Sequence, residues 1–104
     1  MDTFSALAVS TRRDIIELLA ARGQLSATSI YNEFQISHPA ISQHLKILRE
    51  ANLVKVEKQA QQRLYRLNPD KIEELEKWVQ KMKENWEEGF KKLDELLAKE
   101  AKNV

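Results

Sequence analysis

Apolar residues recur along this chain first at helical spacing, then at every second position, then at helical spacing again. Phe4, Leu7 and Ala8 predict a short helix over about Thr3–Val9. Ile15, Ile16, Leu18 and Leu19 predict a second, with Thr11 and Asp14 at the spacing of a capping box and Gly23 as its stop. Ser26 is placed to cap a third helix whose inward residues are Ala27, Ile30, Tyr31 and Phe34. After the short turn Gln35–Ser37 a fourth helix carries Ile41, Leu45, Leu48 and Ala51 on one face, with Ser37 as cap and Pro39 in the first turn. Two short helices joined by a turn of three or four residues make a helix-turn-helix. Past Asn52 the period becomes two: Val54 and Val56 alternate with Lys55 and Glu57, and Leu64 and Arg66 with Tyr65 and Leu67. The polar stretch Lys58–Arg63 between them has no Asn-Gly or Asp-Gly pair, so a hairpin with a longer, mobile tip is expected.

Asn68-Pro69 opens the last segment, Asn68 as cap and Pro69 at the first helical position. Ile72, Leu75, Val79, Met82, Trp86, Leu93 and Leu96 then follow steps of three and four to about Lys99, with Gly89 where one more apolar residue is due and Trp78, Phe90 and Leu97 widening the stripe. A helix of about 30 residues spans roughly 45 Å, too long to pack wholly on so small a domain. The stripe therefore predicts a partner, most simply the same helix of a second subunit. The expected fold is mostly α with a small β-hairpin: a winged helix-turn-helix over residues 1–68 and a long C-terminal dimerisation helix over residues 69–104.

The outer face of the fourth helix differs in chemistry from the last one. His38, Ser42, Gln43, His44, Lys46 and Arg49 point outward there, where a helix needing only solubility would more often carry Glu and Lys. Short hydrogen-bonding side chains edged by cations are what reading base edges and phosphates requires. The net charge of +1 hides an asymmetry: nine cations face six anions through Asn68, a surplus of about +3, and six of those cations lie between Lys46 and Arg66. The rest of the chain carries about −2. A basic middle suits a polyanionic partner.

Composition removes other classes. At 104 residues the chain is one domain by length, and with 42% hydrophobic residues it has a modest core. With no cysteine there is no disulfide framework, thiolate metal site or cysteine nucleophile. No apolar run approaches the roughly 20 residues of a membrane helix, and the N-terminus lacks a signal pattern, so a cytoplasmic protein with no membrane partner is expected. No Ser–His–Asp arrangement, paired buried carboxylates or glycine-rich phosphate loop appears, which argues against an enzyme.

The stretches Phe4–Ala20, Ser37–Val54 and Arg63–Pro69 resemble the ArsR/SmtB family of winged-helix repressors over about two thirds of the chain, and Ser42-Gln-His-Leu-Lys-Ile-Leu-Arg49 is fairly specific to it. The resemblance implies a homodimer that binds operator DNA and represses transcription, with the Ser37 helix in the major groove and the hairpin beside it. Many family members sense metals through a Cys-x-Cys pair in the recognition region or through Asp and His on the last helix. Here the corresponding stretch is Gln24–Ile30, without cysteine, and the last helix has no histidine; the tail with Trp78 and Trp86 is similar to members lacking a known metal site. The family often has proline at Ser10 and glycine at Asn52 and near Ala60; Ser10 can cap instead, and Asn52 tolerates the left-handed conformation.

From residues and resemblance together, the DNA-binding set is Ser37, His38, Ala40, Ser42, Gln43, His44, Lys46, Arg49, Lys58, Gln59, Gln61, Gln62 and Arg63. The dimer interface is Phe4, Leu7, Ile72, Leu75, Val79, Met82, Trp86, Phe90 and Leu93. No cofactor and no metal site is expected: His38 and His44, six apart, do not share a helix face. His44 is read as bonding a phosphate or capping a backbone group. Trp78 and Trp86 are read as interface rather than effector pocket, and control by an organic effector or a protein partner stays open. Glu73–Lys77 and Glu88–Lys92 are expected as i, i+4 pairs. A winged helix can also serve as a protein-interaction module. The polar, basic reading face favours duplex DNA over that alternative.

Overall fold

The structure, a computed structural model, describes residues 2–102; the outermost residues of the two expected domains, 1, 103 and 104, lie outside the described residues. The chain divides into two compact units after Ile72. The elements run α1 (Thr3–Leu7), α2 (Ser10–Arg22), β1 (Gln24–Ser26), α3 (Ala27–Glu33), α4 (His38–Glu50), β2 (Val54–Gln59), β3 (Gln62–Leu67) and α5 (Pro69–Lys102). The winged helix-turn-helix with a long last helix is thus observed.

Most boundaries follow from local chemistry. Ser26 Oγ accepts from Ser29 N at 3.1 Å and Ser37 Oγ from Ala40 N at 3.3 Å, satisfying donors that a first helical turn leaves open. Gly23 ends α2 at φ 86°, its N–H donating to the Leu19 carbonyl at 2.8 Å. At the end of α4, Asn52 takes φ 60°; its N–H reaches the Arg49 carbonyl at 2.9 Å while Leu53 N–H reaches the Leu48 carbonyl at 3.0 Å. This is a complete Schellman cap, sealed by two fully buried leucines, Leu48 and Leu53. Asn68 works in two directions: its Oδ1 accepts from Asp70 N at 3.2 Å, and its Nδ2 donates to the Asn52 carbonyl at 2.8 Å.

Three expectations need correction. The capping box at Thr11 and Asp14 does not form, and Ser10 does not cap. The cap position is Val9, with no side-chain bond, and Arg12 and Arg13 N–H bond its carbonyl at 3.1 and 3.2 Å. The hairpin tip is not long: Gln59 pairs with Gln62, leaving the two-residue turn Ala60-Gln61, with Ala60 at φ 57° in place of the usual glycine or asparagine. Finally, the hairpin is part of a three-stranded antiparallel sheet of order β1-β3-β2, in which Gln24, Leu25 and Ser26 pair with Arg66, Tyr65 and Leu64.

The core of the first unit is drawn from the four short helices and from β2 and β3 with the turn before them: Ala6, Ile15, Leu19, Ile30, Ile41, Leu45, Leu48, Leu53, Val54 and Tyr65 are all buried, while β1 contributes no buried residue. It fixes α4 with its apolar stripe inward and its polar stripe in solvent. The second unit, residues 73–104, is helical over its described length, and none of its described residues is buried. On it Lys77–Glu73 at 3.4 Å and Lys92–Glu88 at 3.8 Å form the two expected i, i+4 pairs, both well exposed.

Candidate nucleic-acid interface

Ser42, Lys46 and Arg49 stand at i, i+4 and i+7 on the exposed side of α4, with Gln43 beside them. Together with Arg63 and Tyr65 of β3 they line one cleft of about 140 Å³. The period of the ladder explains why the wing contributes there. Lys58 lies opposite Arg63 and Val56 opposite Tyr65, so all four share one face of the sheet. Two cations directly opposite one another repel, and a second like-charged pair, Lys55 with Arg66, occupies the other face. A polyanion between or beside such pairs turns that repulsion into attraction. Gln59, Gln61 and Gln62 are exposed around the wing tip.

The remaining expected positions serve differently. Ser37 Oγ and the Ala40 N–H are spent on each other in the helix cap. His38 is exposed and stacks on Tyr31 with ring centroids 4.6 Å apart and planes at 15°, which fixes the start of the reading helix against α3. His44, expected as a phosphate or backbone contact, has a partner within the protein. It is half-buried, and its Nδ1 lies 3.3 Å from NH1 of Arg12 on α2. Burial, then the Arg12 charge, push its pKa below the ordinary imidazole value. His44 sits at the boundary between the polar stripe and α2. In the sequence Arg12 is only one more cation; no spacing rule marks a buried arginine.

Of the expected interface residues, Leu7, Ile72 and Leu75 are half-buried and Phe4, Val79, Met82, Trp86, Phe90 and Leu93 are exposed. Trp86 meets Phe90 edge-on at 4.8 Å, and with Asn85, Gly89 and Leu93 they frame an apolar groove of about 250 Å³ on α5. Among the described residues no three His, Cys, Asp or Glu side chains are gathered as metal ligands. No helix there is long and apolar enough to cross a membrane.

A positively edged reading helix beside a basic wing defines a DNA-binding regulator, and relatives bear this out. Residues 10–56 match the family described as bacterial regulatory protein, arsR family. The chain is 33% identical over 81 residues to an uncharacterized HTH-type transcriptional regulator of Methanocaldococcus jannaschii, covering 78% of this chain and 91% of that one. It is 35% identical over 78 residues to the transcriptional repressor SdpR of Bacillus subtilis, covering 75% and 86%. The solved ArsR-like transcriptional regulator from Rhodococcus sp. RHA1 superposes with a TM-score of 0.78 at 25% identity, covering 89% of this chain and 87% of that one. The chain belongs to the arsR family: it is a helix-turn-helix transcriptional regulator that binds DNA, and not an enzyme.

Proposed function

We propose that this regulator is a homodimeric repressor acting in the cytoplasm on a pseudo-palindromic operator. Residues 1–68 bind DNA and residues 69–104 hold the dimer together, with Phe4 and Leu7 of α1 joining the α5 stripe at the subunit interface. Ser42 and Gln43 read base edges in the major groove; Lys46, Arg49, Lys58 and Arg63 attract phosphates, and the wing glutamines flank the groove. The observation that carries this reading is the single cleft in which Ser42, Gln43, Lys46, Arg49 and Arg63 converge from helix and wing. Two-fold symmetry then sets half-sites about one helical turn of DNA, or a multiple of it, apart. The aromatic pair Trp86–Phe90 is assigned to the subunit interface in preference to an effector pocket. Control is assigned to an organic ligand or protein partner rather than to a bound transition metal.

Selection from random duplexes followed by gel-shift titration tests the assignment. Gln43→Ala is expected to lose about 1–3 kcal/mol and to relax preference at one position per half-site. Lys58→Ala should weaken all sequences alike and lower the salt slope by about one. Unchanged sequence preference and affinity in Gln43→Ala would mean that the reading face lies elsewhere.

A further inference from the structure

Arg12 is the buried charged side chain among the described residues, with 6% of its surface exposed. Among those residues it makes no ion pair. Its guanidinium is satisfied by hydrogen bonds alone: Nε donates to the Ala6 carbonyl at 2.6 Å, NH2 to the Ser5 carbonyl at 3.2 Å, and NH1 meets Nδ1 of His44 at 3.3 Å. A buried charge without a counter-charge is tolerated only when its donors find partners, so the contact with His44 belongs to the solution rather than being incidental. It also fixes the ring chemically. An arginine in a protein always donates. Nδ1 must therefore accept, and the ring proton sits on Nε2.

We propose that Arg12 is a positioning residue for DNA recognition: it ties the last carbonyls of α1 to Nδ1 of His44, anchoring the reading helix α4 in one orientation with His44 neutral and its proton on Nε2. The role rests on α4 carrying the DNA face. Ser42 and Gln43 precede His44 directly, so a rotation of α4 that breaks the tie moves the reading side chains as well. Losing the tie costs orientation, and misaligned hydrogen bonds to base edges weaken steeply.

Protonation opposes the tie, because a cationic His44 has no acceptor at Nδ1 and faces a second cation. The charged groups around it are few. α2 brings Arg12; α1 brings only the neutral carbonyls of Ser5 and Ala6. Of the other elements packed on α4, α3 carries Glu33, which pairs with Arg22 at 3.5 Å, and β2 carries the exposed Lys55, Glu57 and Lys58. Burial and Arg12 both lower the pKa of His44 from 6.5. The unfolded chain therefore binds the proton more readily. The stabilising contribution of neutral His44 is complete above the unfolded value and is lost as pH falls below it. DNA contact through a cation would show the opposite trend, tightening in acid.

Arg12→Ala takes the guanidinium donor from the Ala6 carbonyl and from His44 Nδ1, leaving the Ser5 carbonyl only its bond from Ala8 N–H, and is expected to melt the first unit, so His44 variants carry the test. His44→Asn keeps an acceptor oxygen close to the place of Nδ1 but cannot titrate; His44→Ala removes the acceptor. At neutral pH, His44→Asn should bind the selected duplex within about twofold of wild type, and His44→Ala about tenfold more weakly, the worth of one hydrogen bond to a charged group. Long-range ¹H–¹⁵N spectra of the full chain should show His44 with its proton on Nε2. As pH is lowered toward 5, the Kd of wild type relative to His44→Asn should rise, a comparison in which His38 cancels. Wild-type affinity in His44→Ala, or a flat or falling ratio, would overturn the proposal. A ring protonated at Nδ1 in a chain that binds duplex would overturn the positioning role alone. A ring protonated on Nε2 in a chain that binds no duplex at any pH would overturn the DNA-face reading and the positioning role together.

Discussion

α4 and α5 are both amphipathic helices, but their apolar faces meet different fates. Ile41, Leu45 and Leu48 on α4 are each at most 2% exposed, whereas the α5 stripe from Val79 to Leu97 is 38–68% exposed. The periodicity is equally clear in both. What differs is whether other elements of the described chain cover the face. α2, α3 and the hairpin flank α4 and close over it, whereas the α5 stripe from Val79 on is exposed. Amphipathic spacing thus tells that a face is built to be covered, and not by what. Burying large side chains contributes about 1.5–3 kcal/mol each, so covering the exposed stripe would be favourable.

The contrast can be broken most strongly inside the first unit. Leu48→Ala removes a fully buried side chain that also seals the Schellman cap, and should cost about 2–5 kcal/mol in denaturant unfolding. Leu96→Ala on α5 should change the unfolding of the first unit by no more than about 0.5 kcal/mol. Equal losses at the two positions would show that the two units are not energetically separate. The double change Val79→Asp, Met82→Asp should cost several kcal/mol of association by burying unpaired charge, while the far-UV signal and unfolding of the first unit persist. Sedimentation equilibrium should move from twice the 12.1 kDa chain mass to the chain mass itself. A wild type already at the single mass at micromolar concentration would end the dimer reading. The smallest effect is local to the wing: Ala60→Gly, at φ 57°, should raise thermal stability by about 0.5–1 kcal/mol by relieving a left-handed alanine. A loss of stability there would mean that the tip is not a tight turn in solution.

Where a residue acts on its immediate neighbours, the sequence was mostly legible, the start of α2 at Thr11 and Asp14 being the exception. Caps at Ser26, Ser37 and Asn68, the stops at Gly23 and Asn52, and the pairs Glu73–Lys77 and Glu88–Lys92 all depend on partners within five residues. The elements that escaped depend on distant chain. Gln24-Leu-Ser has no alternation to mark a strand and becomes one only because β3 lies beside it. The tight turn at Ala60 is imposed by pairing that runs to Gln59 and Gln62, against the preference of alanine itself. Arg12 counts as a surface charge in any composition argument, and its burial follows from carbonyls six and seven residues back and a histidine 32 residues ahead. For the candidate interface, the face of α4 was readable from helical spacing. That Arg63 would share its cleft required knowing the ladder register.

The pairing of β1 with β3 has a consequence for how this chain acquires its shape. Ser26 meets Leu64 across about 40 residues, and everything between them, α3, α4 and β2, lies inside the loop that this pairing closes. The β2–β3 hairpin needs only a two-residue turn and can form in microseconds; β1 has nothing to pair with until β3 has been made. During synthesis α3 and α4 emerge before β3 exists, so the nascent chain exposes its reading helix while the clasp around it is still open. Gln24–Ser26, three residues without a distinctive pattern, can therefore join the sheet only after the whole of α3, α4 and β2 has been made.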